Sequence, residues 1–356
     1  MRNRLWKLSI LVLSLMLLAA CGNTTSSGSD EGTNQQVAAA NTDSGTEAGS
    51  ESGQETNEAG TEETEDASRN EQVDIPEVTV DEEKVSELLA QFSDKTPQTA
   101  VTLSVAITEL YSALDLALAG VPTTQSQLPE AYADVERVGS SHQPDLEKIA
   151  SLQPDTILAP ASIKDSIGKM VEPAKLPAAY LPVDSLDELK ASTVALGRLY
   201  GKEEQAQSVL QSFAKEEAEI LKSVEGKAAP TVMFLFGSTE YLMLMNEDTF
   251  AGSLAKNLGA SNVVADTLKS SETYVPFNME SVVQANPDVI LLVAHGDANA
   301  VAKKFEEDVK KNGAWEKLKA FQNGKMQPLD YNLFGIASLT KAPEAYKSLA
   351  SILYGE

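Results

Sequence analysis

At 356 residues, 42% of them hydrophobic, the chain has room for about two domains and enough apolar side chains to bury a core. A formal charge of −25 argues against nucleic acid or an anionic lipid surface as partner, and a single cysteine excludes an internal disulfide. The charge is unevenly spread: residues 22–99 hold 19 acids and 3 bases, so the remainder is only moderately acidic.

Residues 1–20 read as a targeting segment. Arg2, Arg4 and Lys7 precede the apolar stretch Leu8–Leu18, whose 11 residues fall short of the roughly 20 that a spanning helix needs. It ends at Leu18-Ala19-Ala20-Cys21, which resembles a bacterial lipobox. That resemblance implies acylation of the Cys21 thiol, cleavage before it, and a lipid anchor on the outer face of the cytoplasmic membrane. Residues 21–76 form an acidic tether of Gly, Ser, Thr, Asn, Gln and Glu, too poor in apolar surface to fold. Val85, Leu88, Leu89 and Phe92 have helical spacing, so Val78–Phe92 is expected to form a short helix on the domain edge.

Thr99–Leu103 reads as a strand, and Ser104 as the N-cap of a helix from Val105 to about Leu118. Gly120-Val121-Pro122 stops that helix. A polar loop leads to Val135–Val138, and GSSHQPD (139–145) forms another loop. Then LEKIASLQPDTIL (146–158) gives a short amphipathic helix, a Pro-Asp turn and a buried strand. Strands and helices alternate through a helix near Lys164–Val171 and a strand at Ala179–Pro182, which argues for a parallel sheet. Residues 186–200 are helical. Lys202–Val224 carries one apolar face for ~34 Å at 1.5 Å per residue, a strut between lobes.

A second α/β region follows, with strands at Thr231–Phe236, Tyr241–Met245 and Val263–Val264 and a helix at Phe250–Leu258. MESVVQANPDVIL (279–291) then repeats residues 146–158 at an offset of 133, with Glu147 and Glu280, Pro154 and Pro287, Asp155 and Asp288 in register. Strand Val289–Ala294 runs out at His295-Gly296, where open α/β sheets place ligands. Helices near Val301–Lys311 and Ala314–Ala320, a strand at Lys325–Leu329 and a helix at Pro343–Tyr354 complete the chain. The expected fold is therefore α/β: two lobes with mainly parallel sheets, 77–185 and 229–356, joined by a helical linker at 186–228.

The chain has only two histidines, and each lies beside one copy of the repeat: His142 before the first, His295 after the second. Two similar lobes offering one imidazole each suit the iron of a flat apolar macrocycle, which takes axial nitrogen or sulfur donors on opposite faces. With no free thiol, a bare zinc or manganese site would need carboxylates as further ligands. A ferric siderophore brings its own oxygen ligands and asks for Arg, Lys and aromatic groups. The N-terminus of the helix at Ser104, Val105 and Ala106 offers backbone N–H groups to a propionate or another anion; Ser104 as a simple cap is the plainer account. Glu147 and Glu280 equally suit the electrostatics of helix first turns. A secreted enzyme using His295 as base would need a nucleophile, and no such motif is evident beside Asp297. A wall-associated adhesin or chaperone is a third reading.

Residues 99–354 resemble the substrate-binding proteins of iron-siderophore, heme and cobalamin ABC importers. The resemblance rests on VAITEL, GSSHQPDLEKIASLQPDTIL, GSLAKNLGASNVV and FNMESVVQANPDVILLVAHG. Ala294–Gly296 and LFGI at Leu333–Ile336 are most similar to heme-receptor lipoproteins of Gram-positive bacteria, the iron-regulated surface determinant type. The resemblance implies two α/β lobes bridged by a long helix, and heme b as transported ligand. It implies His295 as an axial ligand from the second lobe. At the loop position where those receptors carry a methionine, this sequence has His142, a departure from the pattern. Should His142 not bind, a methionine or Tyr274 could take its place. Glu147 and Glu280 are implied to dock on arginines of the permease, which works with its ATPase. A monomer supplied by upstream heme-donor surface proteins completes the implied picture, with no nucleic acid partner.

Overall fold

A computed structural model describes residues 78–92, 95–294 and 297–355. The targeting segment, Cys21, the tether up to residue 76 and His295-Gly296 lie outside the described residues. In chain order the first lobe comprises α1 (Glu82–Ala90), β1 (Ala100–Thr102), α2 (Val105–Ala113), β2 (Gly120–Val121), β3 (Glu136–Arg137), α3 (Leu146–Ser151), β4 (Thr156–Pro160), α4 (Lys164–Val171) and β5 (Ala178–Leu181). Its five strands are all parallel, in the order β3-β2-β1-β4-β5.

Helices α5 (Leu186–Tyr200) and α6 (Glu203–Val224) follow. Ser185 and Glu188 form a reciprocal cap at the start of α5, and Gly201 closes its end in the left-handed conformation. The second lobe holds β6 (Thr231–Gly237), β7 (Leu242–Met245), α7 (Phe250–Asn257), β8 (Ser261–Asn262), β9 (Tyr274–Pro276), α8 (Met279–Ala285), β10 (Val289–Ala294), α9 (Ala298–Lys311), α10 (Lys319–Gln322), β11 (Met326–Pro328), α11 (Tyr331–Phe334) and α12 (Ala342–Tyr354). Its sheet runs β11-β10-β6-β7-β9, with β8 beside the start of β6.

Several local expectations change. The helix after Ser104 stops at Ala113, short of Leu118, with Asp115 in the left-handed region. Val263–Val264 is no strand but opens a π-helical turn, Val263–Thr267, after the two-residue β8. The second sheet is mixed: β7 runs antiparallel to β6, and β9 antiparallel to β7. A run such as Leu242–Met245 signals burial but carries no sign for strand direction. Ala314–Ala320 splits into a 3-10 turn and the start of α10.

The two repeat copies occupy the same place in both lobes. Helices α3 and α8 end on Gln153 and Asn286, 133 residues apart and both with positive φ, 49° and 42°. Strands β4 and β10 that follow each lie one strand in from an edge of their sheet, paired in parallel with the central strands β1 and β6. The helical connections from β1 and β4 leave in opposite directions, towards β2 and β5. Between β1 and β4 lies a topological switch point, the position where open parallel sheets form a ligand crevice.

One apolar core runs through both lobes. It joins Leu158 and Ala179 of the first sheet to Phe234, Leu291 and Val293 of the second through buried faces of α2, α5, α6, α7 and α12. Both α5 and α6 therefore connect the lobes, where the sequence suggested one strut. Their seam is pinned by polar contacts: Tyr346 donates to Glu217 at 2.6 Å, Asn257 donates to Tyr346 at 2.8 Å, and Lys190 lies 3.6 Å from the Glu217 carboxylate. The outer faces of the sheets have separate cores, under α3 and α4 in one lobe and under α8 and α9 in the other.

Candidate functional site

The loop between β3 and α3 is built to present His142. Ser140 and Gln143 exchange backbone hydrogen bonds of 3.2 Å, closing a tight turn with His142 inside it. Gly139 starts the turn at φ 89°, and a Cβ there would sit 2.6 Å from the Gln143 carbonyl oxygen, so no other residue fits. Asp145 ends it as N-cap of α3, accepting from the Lys148 amide. The exposed imidazole has no hydrogen-bond partner among the described residues. It opens on a groove of about 680 Å³ whose far wall is Ala161–Ser166, Lys169 and Met170, the segment that follows β4 at the switch point.

On the other side of that switch point, Ser104 caps α2 by accepting from the Ile107 amide at 3.4 Å. Ser104, Val105 and Ala106 are all buried, at 5%, 7% and 4% exposure, so the helix start meets little solvent in this conformation. One turn further along α2, the buried Glu109 pairs with Lys341 of the second lobe at 3.1 Å.

In the second lobe, β6 and β10 end together, Gly237 opposite Ala294, and His295 is the next residue in the chain. Beside this edge stands an aromatic group: Phe236 lies 5.4 Å from Tyr274 and 6.4 Å from Tyr241, ring centre to ring centre. Burial, then the charge of Asp184, pushes the Tyr274 hydroxyl up to about 12; Tyr241 and Glu188 add to it. Asp184 sits between β5 and α5. Burial pushes its carboxyl up, and the Ser162 hydroxyl acts in the opposite sense. Asp184 thus faces Ser162 of the first lobe and Tyr274 of the second. The sequence reading missed it, because nothing beyond the cap motif Ser185–Glu188 sets it apart.

The two histidines are not symmetry mates. The residue 133 positions before His295 is Ser162, and the one 133 positions after His142 is Val275. The duplication therefore relates His295 to the groove wall beside His142, not to His142 itself. Glu147 and Glu280 do correspond, each exposed at the second position of α3 and α8, and neither pairs with a cation among the described residues. The described residues hold no cluster of three or more His, Cys, Asp or Glu that could bind a bare metal ion. None of their helices is long and apolar enough to cross a membrane.

The periplasmic binding protein family model matches residues 101–332, which takes in both sheets and the helices between them. The chain belongs to that family. It is a two-lobed α/β substrate-binding protein of the ABC-importer kind. Periplasmic binding proteins similar to it include an ABC transporter substrate-binding protein from Listeria monocytogenes, 34% identical. That comparison covers 74% of this chain and all of that one, with a TM-score of 0.68. The structure of Staphylococcus aureus IsdE complexed with heme is 28% identical over 72% of this chain and 98% of that one, again with a TM-score of 0.68. In sequence, the high-affinity heme uptake system protein IsdE of Staphylococcus aureus is 29% identical over 255 residues, 71% of this chain and 86% of the relative.

Proposed function

We propose that this periplasmic binding protein captures heme b outside the cell and hands it to an ABC permease and its ATPase. The observation that carries the reading is the similarity to IsdE, a protein solved with heme, over nearly the whole of that chain. The local chemistry supports it. An iron porphyrin is a flat apolar disc that needs an axial donor on each face. His142 is held out by a turn only glycine permits, with no competing partner among the described residues; Phe236 and Tyr274 stand beside the end of β10, and His295 is the next residue in the sequence. In this reading both imidazoles bind the iron.

A ferric siderophore receptor is the second reading, since such ligands are carried by the same fold. Anionic oxygen-rich chelates favour the forked guanidinium. The described residues hold two arginines, and both serve structural contacts: Arg198 grips Glu82 at 2.7 and 2.8 Å, and Arg137 donates to the Ala133 carbonyl. That favours heme. Lipidation of Cys21, the tether of residues 21–76 and lobes at 77–185 and 229–356 around the linker at 186–228 complete the proposal. So do docking of Glu147 and Glu280 on the permease, a monomeric state and delivery from surface heme donors.

Hemin titrated into the purified protein and into His295→Ala, followed by absorption, tests this. A heme receptor loses affinity sharply in the variant. Undiminished hemin binding by the variant, or tight binding of a ferric siderophore by both proteins with none of hemin, contradicts it.

A further inference from the structure

The apolar core that runs through both lobes holds them together by contacts that have no preferred direction. One contact between the lobes is directional. Glu109, on α2, pairs at 3.1 Å with Lys341, the residue before α12. Among the described residues it is the only ion pair that runs directly between residues 95–185 and 229–356. The neighbouring pairs end on the linker: Lys190–Glu217 joins α5 to α6, and Lys347–Glu216 joins α12 to α6. Both partners are tied to elements that lead to the candidate iron ligands. Helix α2 packs on β1 and β4, and β4 runs into the Ala161–Ser166 wall of the His142 groove. The Lys341 amide donates to the buried Ser338 hydroxyl at 3.2 Å. That segment follows α11, which lies against β10, and His295 is the residue after β10. Glu109 also leaves Oε2 buried without a hydrogen-bond partner, which lobe separation would hydrate. The pair therefore holds an arrangement that its own second oxygen disfavours, which is not how a contact serving stability alone is built.

We propose that Glu109 is a positioning residue for capture: acting through Lys341, it holds the two lobes in the register at which His142 and His295 reach the same iron. This rests on the heme reading and deepens it. An axial bond from each lobe forms on one iron only when the spacing and register of the lobes match the ring between them. A small slip between the lobes leaves one imidazole bound and the other short.

The test removes the pair without stranding a charge. E109L/K341M takes out both partners together, so the fold is kept while the directional contact is lost. E109Q keeps the size of the side chain and loses its charge, K341R keeps the pair, and E216Q/K347Q removes a pair that ends on the linker. Each full chain is loaded with hemin, its release to excess apomyoglobin is timed, and absorption reports the spin state of the iron. The expected result is release roughly tenfold faster from E109L/K341M, with part of the iron turned from low-spin to high-spin and E109Q intermediate. K341R and E216Q/K347Q should match the parent. A merely structural role would lower the urea midpoint and leave the spectrum of the bound hemin unchanged. Parent-like release and spectrum in both E109L/K341M and E109Q overturn the positioning role while leaving the heme reading standing. Equally fast release from E216Q/K347Q, or from K341R, overturns it too. An unaltered protein that binds no hemin fails the heme reading itself, and the positioning role falls with it.

Discussion

Asp155 and Asp288, 133 residues apart, make the same bond in the two lobes. Asp155 accepts through Oδ2 from the amides of Gln98 and Thr99, at 2.8 and 2.9 Å, just ahead of β1. Asp288 accepts through Oδ2 from the Thr231 amide at 3.0 Å and its hydroxyl at 2.8 Å, at the head of β6. Each carboxylate ties the strand that follows the repeat helix to its central neighbour, which fixes the register of the two switch-point strands. The Pro-Asp turn is thus a structural clamp, and the duplication seen in the sequence is a duplication of that clamp.

The clamps predict an acid-labile fold. Backbone hydrogen bonds hold both carboxyls below the ordinary Asp range, led by Thr99 for Asp155 and by Thr231 for Asp288. A lowered folded pKa means that the contribution is present above the unfolded value, near 3.9, and lost as pH falls through the lower folded values. Asp288→Asn should lower stability at pH 7 by about 1 kcal/mol, discounted for the partial exposure of the group, and flatten the acid limb below pH 4. Urea unfolding as a function of pH checks this; a variant with the parent's acid limb contradicts it.

Glu109 and Lys341 predict an asymmetric double-mutant cycle. The Glu109 side chain is 8% exposed, and its second oxygen, Oε2, is buried without a hydrogen-bond partner, whereas the Lys341 side chain is 38% exposed. Lys341→Met strands a buried carboxylate and should destabilise by about 2–3 kcal/mol; Glu109→Leu leaves only a solvent-reachable ammonium and should cost less. Glu109→Leu combined with Lys341→Met should recover most of the loss. Chemical denaturation measures all three, and equal effects of the two single changes would count against the burial argument.

Glu147 and Glu280 predict a separation of capture from delivery. Both are exposed at the second position of their helices, outside the His142 groove and the aromatic edge. Glu147→Ala with Glu280→Ala should leave hemin affinity within about twofold, because surface changes away from a site move free energies by only ~0.5 kcal/mol. Heme-dependent growth of cells carrying the double variant should fall to that of cells lacking the protein. Growth equal to the parent's would remove the docking role.

Tyr274 predicts pH independence. With its hydroxyl raised to about 12 by burial and by Asp184, it holds its proton throughout the neutral range. Tyr274→Phe should therefore leave the spectrum of bound hemin unaltered from pH 6 to 9, since the neutral phenol offers iron no anionic oxygen. Disappearance of a high-spin tyrosinate-type spectrum in the variant would show the opposite.

Much of the frame was legible because periodicity reports burial. The amphipathic faces of α5, α6 and α12 and the apolar runs of β6 and β10 stand out in the chain. Strand direction was not: β7 and β9 are short, and their antiparallel pairing is set by the Ser238–Tyr241 turn and the path after the π-helical turn, neither of which changes the apolar pattern. At the site, the loop around His142 was readable from Gly139, whereas the groove wall at Ala161–Ser166 facing it was not. It is an ordinary polar turn and helix start after β4, and only the strand order brings it to the switch point. Asp184 was invisible for the opposite reason, since its burial comes from packing between lobes that no local pattern encodes.

The most direct measurement is the spin state of iron in the hemin-loaded protein, by electron paramagnetic resonance and absorption, for the full chain, His142→Ala and His295→Ala. Two imidazoles on one iron give a six-coordinate low-spin centre in the parent and a high-spin, weaker centre in each variant. A parent spectrum that is already high-spin, or a low-spin spectrum that survives His142→Ala, would contradict bis-histidine capture.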